Sequence, residues 1–269
     1  MHDTVSNDNC KHDRPQATGY CPATIISDGD VHQLELEVTY EYQLKVVLNS
    51  QELVTLICTP ANLEYLAVGF LYSGGFITCS ENIKNISIDY EHGIARVEAT
   101  TDRTAFGPQV ITTGGGRGVA SCGGNSPSEP EAIISDTKLL VSDVMALTEA
   151  FQNISPIYRT THGVHSAAIC SRNQIVVWAE DLGRHNAIDK ALGKCLLEGI
   201  PTEGRYIFSS GRIASDMVNK AIKAKVPIIL SVAVPTGSAI ELARQKGITL
   251  ICSVKNGRMN VFTHQERIA

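Results

Sequence analysis

No stretch of the 269-residue chain is apolar over the ~20 residues that a membrane-spanning helix needs, so no membrane insertion is expected. Residues 1–16 are polar and lack the basic and apolar regions of a secretory signal, which predicts a cytoplasmic protein. Charge of one sign is also scarce. With 23 Lys and Arg against 28 Asp and Glu, the formal charge is −5, which argues against broad capture of nucleic acid and leaves any anion site local. The eight cysteines, at 10, 21, 58, 79, 122, 170, 195 and 252, include no C-x-x-C pair and are scattered through a chain far larger than a disulfide-framed domain. Most are expected to be reduced and buried. His162 and His165 have no nearby cysteine pair and no H-E-x-x-H context, so no metal site is predicted. G-x-x-x-x-G-K-[ST] is missing, as is G-x-G-x-x-G at a strand–helix junction, so neither a P-loop nor a dinucleotide fingerprint is supported.

What is present has the proportions of an ordinary globular protein, 43% hydrophobic and 19% charged. Residues 1–20 are polar without an apolar period and are expected to form a loose tail. Over residues 31–59 the pattern alternates: Leu34, Leu36 and Val38 with Gln33, Glu35 and Glu37, then two apolar runs across the turn-like Asn49-Ser50. Antiparallel strands follow from that period. Thr59-Pro60 reads as an N-cap and first-turn proline before Leu63, Leu66, Ala67, Phe70 and Leu71, and Gly74-Gly75 closes this helix. A hairpin over 86–99, turning at Glu91-His92-Gly93, completes a small α+β domain assigned to residues 21–110. Residues 111–130, rich in Gly, Ser and Thr, are expected as a loop. From Ser142, read as an N-cap, strands and helices alternate to the end, and residues 131–269 are expected to form an α/β layer with partly parallel strands.

In such layers ligands bind where strand ends meet helix starts. Four loops fall there: 161–165 with His165, 180–186 with Arg184 and His185, 209–212 with Ser210, Gly211 and Arg212, and 235–238 with Thr236. Each alone is more often a cap and turn. Together, helix N-termini, small residues and arginine can cradle a phosphate. Glu180 and Asp181 are expected to hold Arg184 or cap the next helix, with acid–base work the minor alternative. The H-x-E and P-C-x-x-C signature of zinc nucleobase deaminases is absent. Cys122, in Ser121-Cys122-Gly123-Gly124, is the cysteine that a glycine-rich loop would expose. Arg117 nearby would favour its thiolate; the bland alternative is an incidental surface thiol.

GVHSAAI (163–169), EDLGRHNAIDKALG (180–193), SSGRIASDMVNKA (209–221), VPTGSAIELA (234–243), TLICSVKNGRMNVFT (249–263) and TPANLEYLAVGFLYSGGF (59–76) together resemble the FdhD/NarQ family, the formate dehydrogenase accessory sulfurtransferases. The resemblance implies a homodimer whose C-terminal α/β domain is cytidine-deaminase-like without the zinc, preceded by a smaller α+β domain. It implies sulfur received from an L-cysteine desulfurase as a persulfide on Cys122 and passed to the molybdenum or tungsten bis-guanine-dinucleotide cofactor, for which GDP is a mimic. The formate dehydrogenase catalytic subunit would then take the cofactor. Ser253, Val254, Lys255, Asn256, Gly257 and Arg258 match the family's cofactor-binding stretch, with Lys255 where arginine is usual. Asn125 stands where many members have a second cysteine, which motivates an alternative: a chaperone that shelters the cofactor without sulfur chemistry.

Overall fold

A computed structural model describes residues 14–101, 109–111 and 131–269. Cys122, with Arg117 and Asn125, lies outside the described residues, as does most of the tail and of the glycine-rich loop. The Asp28-Gly29 turn, with φ of 50° and 94°, suits a tight two-residue hairpin. It joins β1 (Thr18–Ser27) to β2 (Asp30–Thr39) in an antiparallel ribbon. Strand β1 thus begins inside the stretch whose polarity predicts a tail, because pairing with β2 orders it.

Alternation in β3 (Tyr42–Leu48) and the apolar run of β4 (Gln51–Cys58) give a second sheet. Its order is β5 (Ile83–Asp89), β6 (Ile94–Ala99), β3, β4, β7 (Gln109–Ile111). Leu44, Val46, Leu56 and Val97 from one face of this sheet pack against Leu63, Leu66, Ala67 and Leu71 of helix α1 (Leu63–Ser73). This is the α+β arrangement that the period predicts.

The third sheet has six strands in the order β13 (Arg258–Val261), β12 (Thr249–Lys255), β11 (Ile228–Ser231), β10 (Tyr206–Ser209), β8 (His165–Ser171), β9 (Gln174–Asp181). Strands β10, β11 and β12 are parallel, and the remaining pairings are antiparallel. Successive side chains point to opposite faces, and both faces are covered. Ile207, Ile229 and Leu250 meet α4 (Arg184–Leu197), α5 (Ser215–Lys223) and α6 (Gly237–Gln245). Phe208, Leu230 and Ile251 meet α2 (Val141–Gln152), where the Phe151 and Phe208 rings stack at 4.3 Å. A short helix, α3 (Pro156–Thr161), precedes β8. The chain is a mixed α/β protein, and among the described residues no helix is long and apolar enough to cross a membrane.

Two expected helix starts are displaced. Helix α2 begins at Val141, ahead of Ser142, and the Val141 N–H finds its partner in the Ala269 carbonyl at 3.1 Å, so no side-chain cap is used. Thr59 does not cap α1 either, because its hydroxyl is drawn into a buried ion pair. Asp181 and Lys190, both fully buried, lie 2.6 Å apart. The Thr59 hydroxyl accepts from Lys190 Nζ at 2.7 Å and donates to Asp181 Oδ2 at 3.1 Å. Helix α1 starts four residues later, after Asn62.

Helix α1 lies between the five-stranded sheet and α4, and the two helices approach until backbone meets backbone. A methyl on Gly193 would sit 2.0 Å from the Tyr65 carbonyl oxygen, and one on Gly69 would sit 1.8 Å from that of Asp189. Alanine in a helix normally gains about 1 kcal/mol over glycine. Here Gly193→Ala is expected to lose about 2–3 kcal/mol in urea unfolding, as overpacking does; a gain would refute the close crossing. Lys190→Met strands the Asp181 carboxylate in the interior and is expected to cost about 3–5 kcal/mol. A loss below about 1 kcal/mol, in the range of an exposed ion pair, would show that the pair is hydrated.

Candidate functional site

Strand direction gathers the loops singled out by sequence at one edge of the six-stranded sheet. The carboxyl ends of β9, β10, β11 and β12 point there, and β8, antiparallel to β9 and β10, starts there with His165 opposite Asp181. Helices α4, α5 and α6 depart from the same edge. His165, Arg184, Ser210, Gly211, Arg212 and Thr236 therefore share one rim, as the loop positions predict.

Asp181 builds the β9–α4 corner. One oxygen accepts from the Gly183 N–H at 2.9 Å and from Asn186 Nδ2 at 2.8 Å; the other accepts from Thr59 and Lys190. Asp181 is thus spent on the turn and on Lys190, and Glu180 accepts a short hydrogen bond from the Ser155 hydroxyl. Of the two roles expected, holding Arg184 or capping the next helix, the contacts of Asp181 serve the entry to α4. The corner fixes the starts of Arg184 and His185.

Beside it, Ser210 is tied to the first strand residues of β8. Its N–H donates to the Ser166 carbonyl at 2.9 Å, its Oγ accepts from the Ser166 N–H at 2.9 Å, and His165 Nδ1 lies 3.2 Å from the same Oγ. Burial holds the His165 pKa below its ordinary value, the Arg184 charge adds to this, and Asp181 opposes it. His165 is therefore an uncharged ring at neutral pH. Gly211 has no side chain because the stem of Arg184 lies over it: a Cβ would come within 2.7 Å of Arg184 Cβ.

Part of the backbone cradle expected from these loops is used internally. Gly211 N–H donates to Ser209 Oγ at 3.1 Å, Gly183 N–H to Asp181, and Thr236 N–H to the Ile213 carbonyl at 2.9 Å. Thr236 also serves as the N-cap of α6, accepting from the Ala239 N–H at 3.2 Å. Arg212 is exposed at the rim, and an arginine fork has the geometry that suits a phosphate.

The stretch 253–258 divides by environment. Val254 is fully buried in the core beneath α2. Ser253, at φ 55°, forms the irregularity in β12 and donates its N–H to the Ala233 carbonyl at 2.8 Å. Lys255, Asn256, Gly257 and Arg258 are exposed in the hairpin joining β12 to β13, with positive φ at Asn256 and Gly257, as a tight hairpin requires.

The site list read from the sequence omits a contact between His185 and Asp216. His185 Nε2 makes a short hydrogen bond with Asp216 Oδ2, while its Nδ1 is buried with no hydrogen-bond partner. Burial pushes the Asp216 pKa up, but the hydrogen bond and charge of His185 outweigh it and the net shift is downward. The available signal was an acidic residue in the first turn of α5. Among the described residues, no group of three His, Cys, Asp or Glu side chains is placed to hold a metal ion.

Six cysteines fall among the described residues, and burial sorts them. Cys58, Cys170, Cys195 and Cys252 are buried. Desolvation pushes the thiols of Cys170, Cys195 and Cys252 up to about 12, and that of Cys58 higher still. Cys21 and Cys79 are half-buried, because the ribbon and the turn before β5 have no full cover.

The sequence pattern of the FdhD/NarQ family matches residues 39–269. The chain is 37% identical over 244 residues to the sulfur carrier protein FdhD of Bacillus subtilis (strain 168), covering 89% of this chain and 93% of that protein. It is 35% identical over 253 residues to the sulfur carrier protein FdhD of Halalkalibacterium halodurans, covering 90% and 92%. A crystal structure of a protein named for a formate dehydrogenase accessory role, from Desulfotalea psychrophila, superposes with a TM-score of 0.80 at 27% identity, covering 94% of this chain and 100% of that one. With its matched stretch extending through both larger sheets and their helices, the chain belongs to the FdhD/NarQ family.

Proposed function

We propose that this protein is a sulfur carrier for formate dehydrogenase, with Cys122 as the persulfide site and the rim of the six-stranded sheet as the seat of the acceptor. The observation that carries the reading is the gathering of His165, Arg184, Ser210 and Arg212, with the 253–258 hairpin, at one sheet edge of a chain belonging to this family. In the loading step, the Cys122 thiolate attacks the outer sulfur of a desulfurase persulfide. A new S–S bond forms on Cys122, the donor's S–S bond breaks, and the donor cysteine leaves as a thiolate. The acceptor is the molybdenum bis-guanine-dinucleotide cofactor, bound as substrate. Its pyrophosphates would meet Arg184, Arg212, Lys255 and Arg258, with His165 as an uncharged partner.

The domain reading accompanies this function. Residues 131–269 would form the cytidine-deaminase-like unit, which the β9-β8-β10-β11-β12 neighbour order supports, and residues 21–110 the smaller unit, with Cys122 in the sequence between them. A cytoplasmic homodimer is the working form. The ribbon of β1 and β2 supports association, because Tyr20, Ile26 and Val31 are 67%, 73% and 64% exposed and a two-stranded ribbon is marginal by itself.

Incubated with a cysteine desulfurase and L-cysteine, the wild-type protein is expected to gain one sulfur on Cys122 by mass spectrometry, and Cys122→Ala none. Equal loading of the variant would remove Cys122 from the mechanism. No loading of the wild type would favour the chaperone reading that Asn125 motivates. Millimolar GDP is expected to raise the melting temperature by about 2–4 °C, as a ligand present at about ten times its Kd would, and Arg212→Ala to abolish most of that shift. An unchanged melting temperature in the wild type would place the guanine nucleotide elsewhere.

A further inference from the structure

We propose that Ser210 is a positioning residue that holds His165 in the tautomer with its proton on Nε2, so that the ring offers an uncharged N–H donor to an anionic oxygen seated at the rim. The hydroxyl of serine has one hydrogen to give and two lone pairs to fill. One lone pair of Ser210 Oγ takes the Ser166 N–H at 2.9 Å, a contact locked by the return bond from Ser210 N–H to the Ser166 carbonyl. His165 Nδ1, at 3.2 Å, is the acceptor within reach of the remaining hydrogen. If Nδ1 carried the proton instead, the ring would donate to Oγ and the hydroxyl hydrogen would lose this acceptor in a half-buried position, a costly arrangement. The hydroxyl therefore donates, Nδ1 accepts, and Nε2 bears the hydrogen.

The charges around the ring agree with a neutral state. Burial first and Arg184 next disfavour a second proton on His165, Asp181 opposes them, and His185 adds a smaller contribution against it. The neighbouring histidine is arranged differently. His185 Nε2 faces the Asp216 carboxylate, an acceptor only, so Nε2 must donate there. The rim thus holds two imidazoles with separate assignments: His185 is bound to an acid through Nε2, and His165, set by a serine at Nδ1, keeps an N–H donor at Nε2 without adding charge. In this reading the guanidinium groups supply charge to a guest, and His165 supplies orientation.

The role toward a guest rests on the pocket reading above; the tautomer does not, and the two are measured separately. In full-length protein labelled with 15N at histidine, long-range 1H–15N correlation is expected to show a bare Nδ1 and a protonated Nε2 for His165. Ser210→Ala is expected to populate both tautomers, and Ser210→Thr, which keeps the hydroxyl, to restore the single form. Unaltered His185 resonances in the alanine variant report an intact fold, and if they move, the threonine variant decides. A protonated Nδ1 in the wild type, an unchanged His165 spectrum in Ser210→Ala, or mixed tautomers in Ser210→Thr would overturn the proposal. GDP affinity is expected to fall about twofold in Ser210→Ala, as it does when the binding-competent tautomer drops to about half of the population, and to return in Ser210→Thr. Equal affinity in both variants would overturn the guest-facing role. Failure of GDP to bind the wild type, with the tautomer as stated, would count against the pocket and not against Ser210.

Discussion

One buried carboxylate holds the architecture of the rim together. Asp181 sits at the end of β9, where it takes donors from the Gly183 backbone, the Asn186 amide, the Thr59 backbone and hydroxyl, and the Lys190 ammonium. A pair this deep gives little net stability, because both ions surrender their hydration, and its value is in geometry that a misfit would forfeit. Three separate segments are bound to a single point: the exit of β4, the corner leading into α4, and the second turn of that helix. The corner in turn sets where Arg184 and His185 begin.

That arrangement depends on absent side chains as much as on present ones. Lys190 reaches Thr59 because α1 and α4 touch at Gly69 and Gly193, where any Cβ would strike a carbonyl of the other helix. A second small-residue contact brings Arg184 down over Gly211. The link between packing and chemistry is direct: helices that could not close would leave the ammonium without its carbonyl partners and the corner without its anchor.

Several backbone N–H groups in the rim loops are engaged by neighbouring hydroxyls and carbonyls. Side chains can be graded. Arginine supplies permanent charge, one histidine is bound to a carboxylate, and the other is kept neutral by burial and neighbouring cations.

Local periodicity and spacing determined much from the sequence by itself: the alternation of β3, the 3.6-residue stripe of α1, the strand–helix rhythm of the second half, and the glycine- and arginine-bearing loops at its junctions. These are short-range signals, since a side chain's face follows from its neighbours within a turn or two of chain. The preference of Thr59 for a cap position is local, whereas the partners that claim it are 122 and 131 residues away. Ser142 was displaced as a cap by a carbonyl at the far end of the chain. The internal use of the loop N–H groups, the burial of Val254 amid a stretch of exposed neighbours, and the meeting of His185 with Asp216 were likewise decided only by tertiary structure. A hydrogen-bonding side chain advertises what it can bind, and only the closed fold determines which of several competent partners arrives within 3 Å.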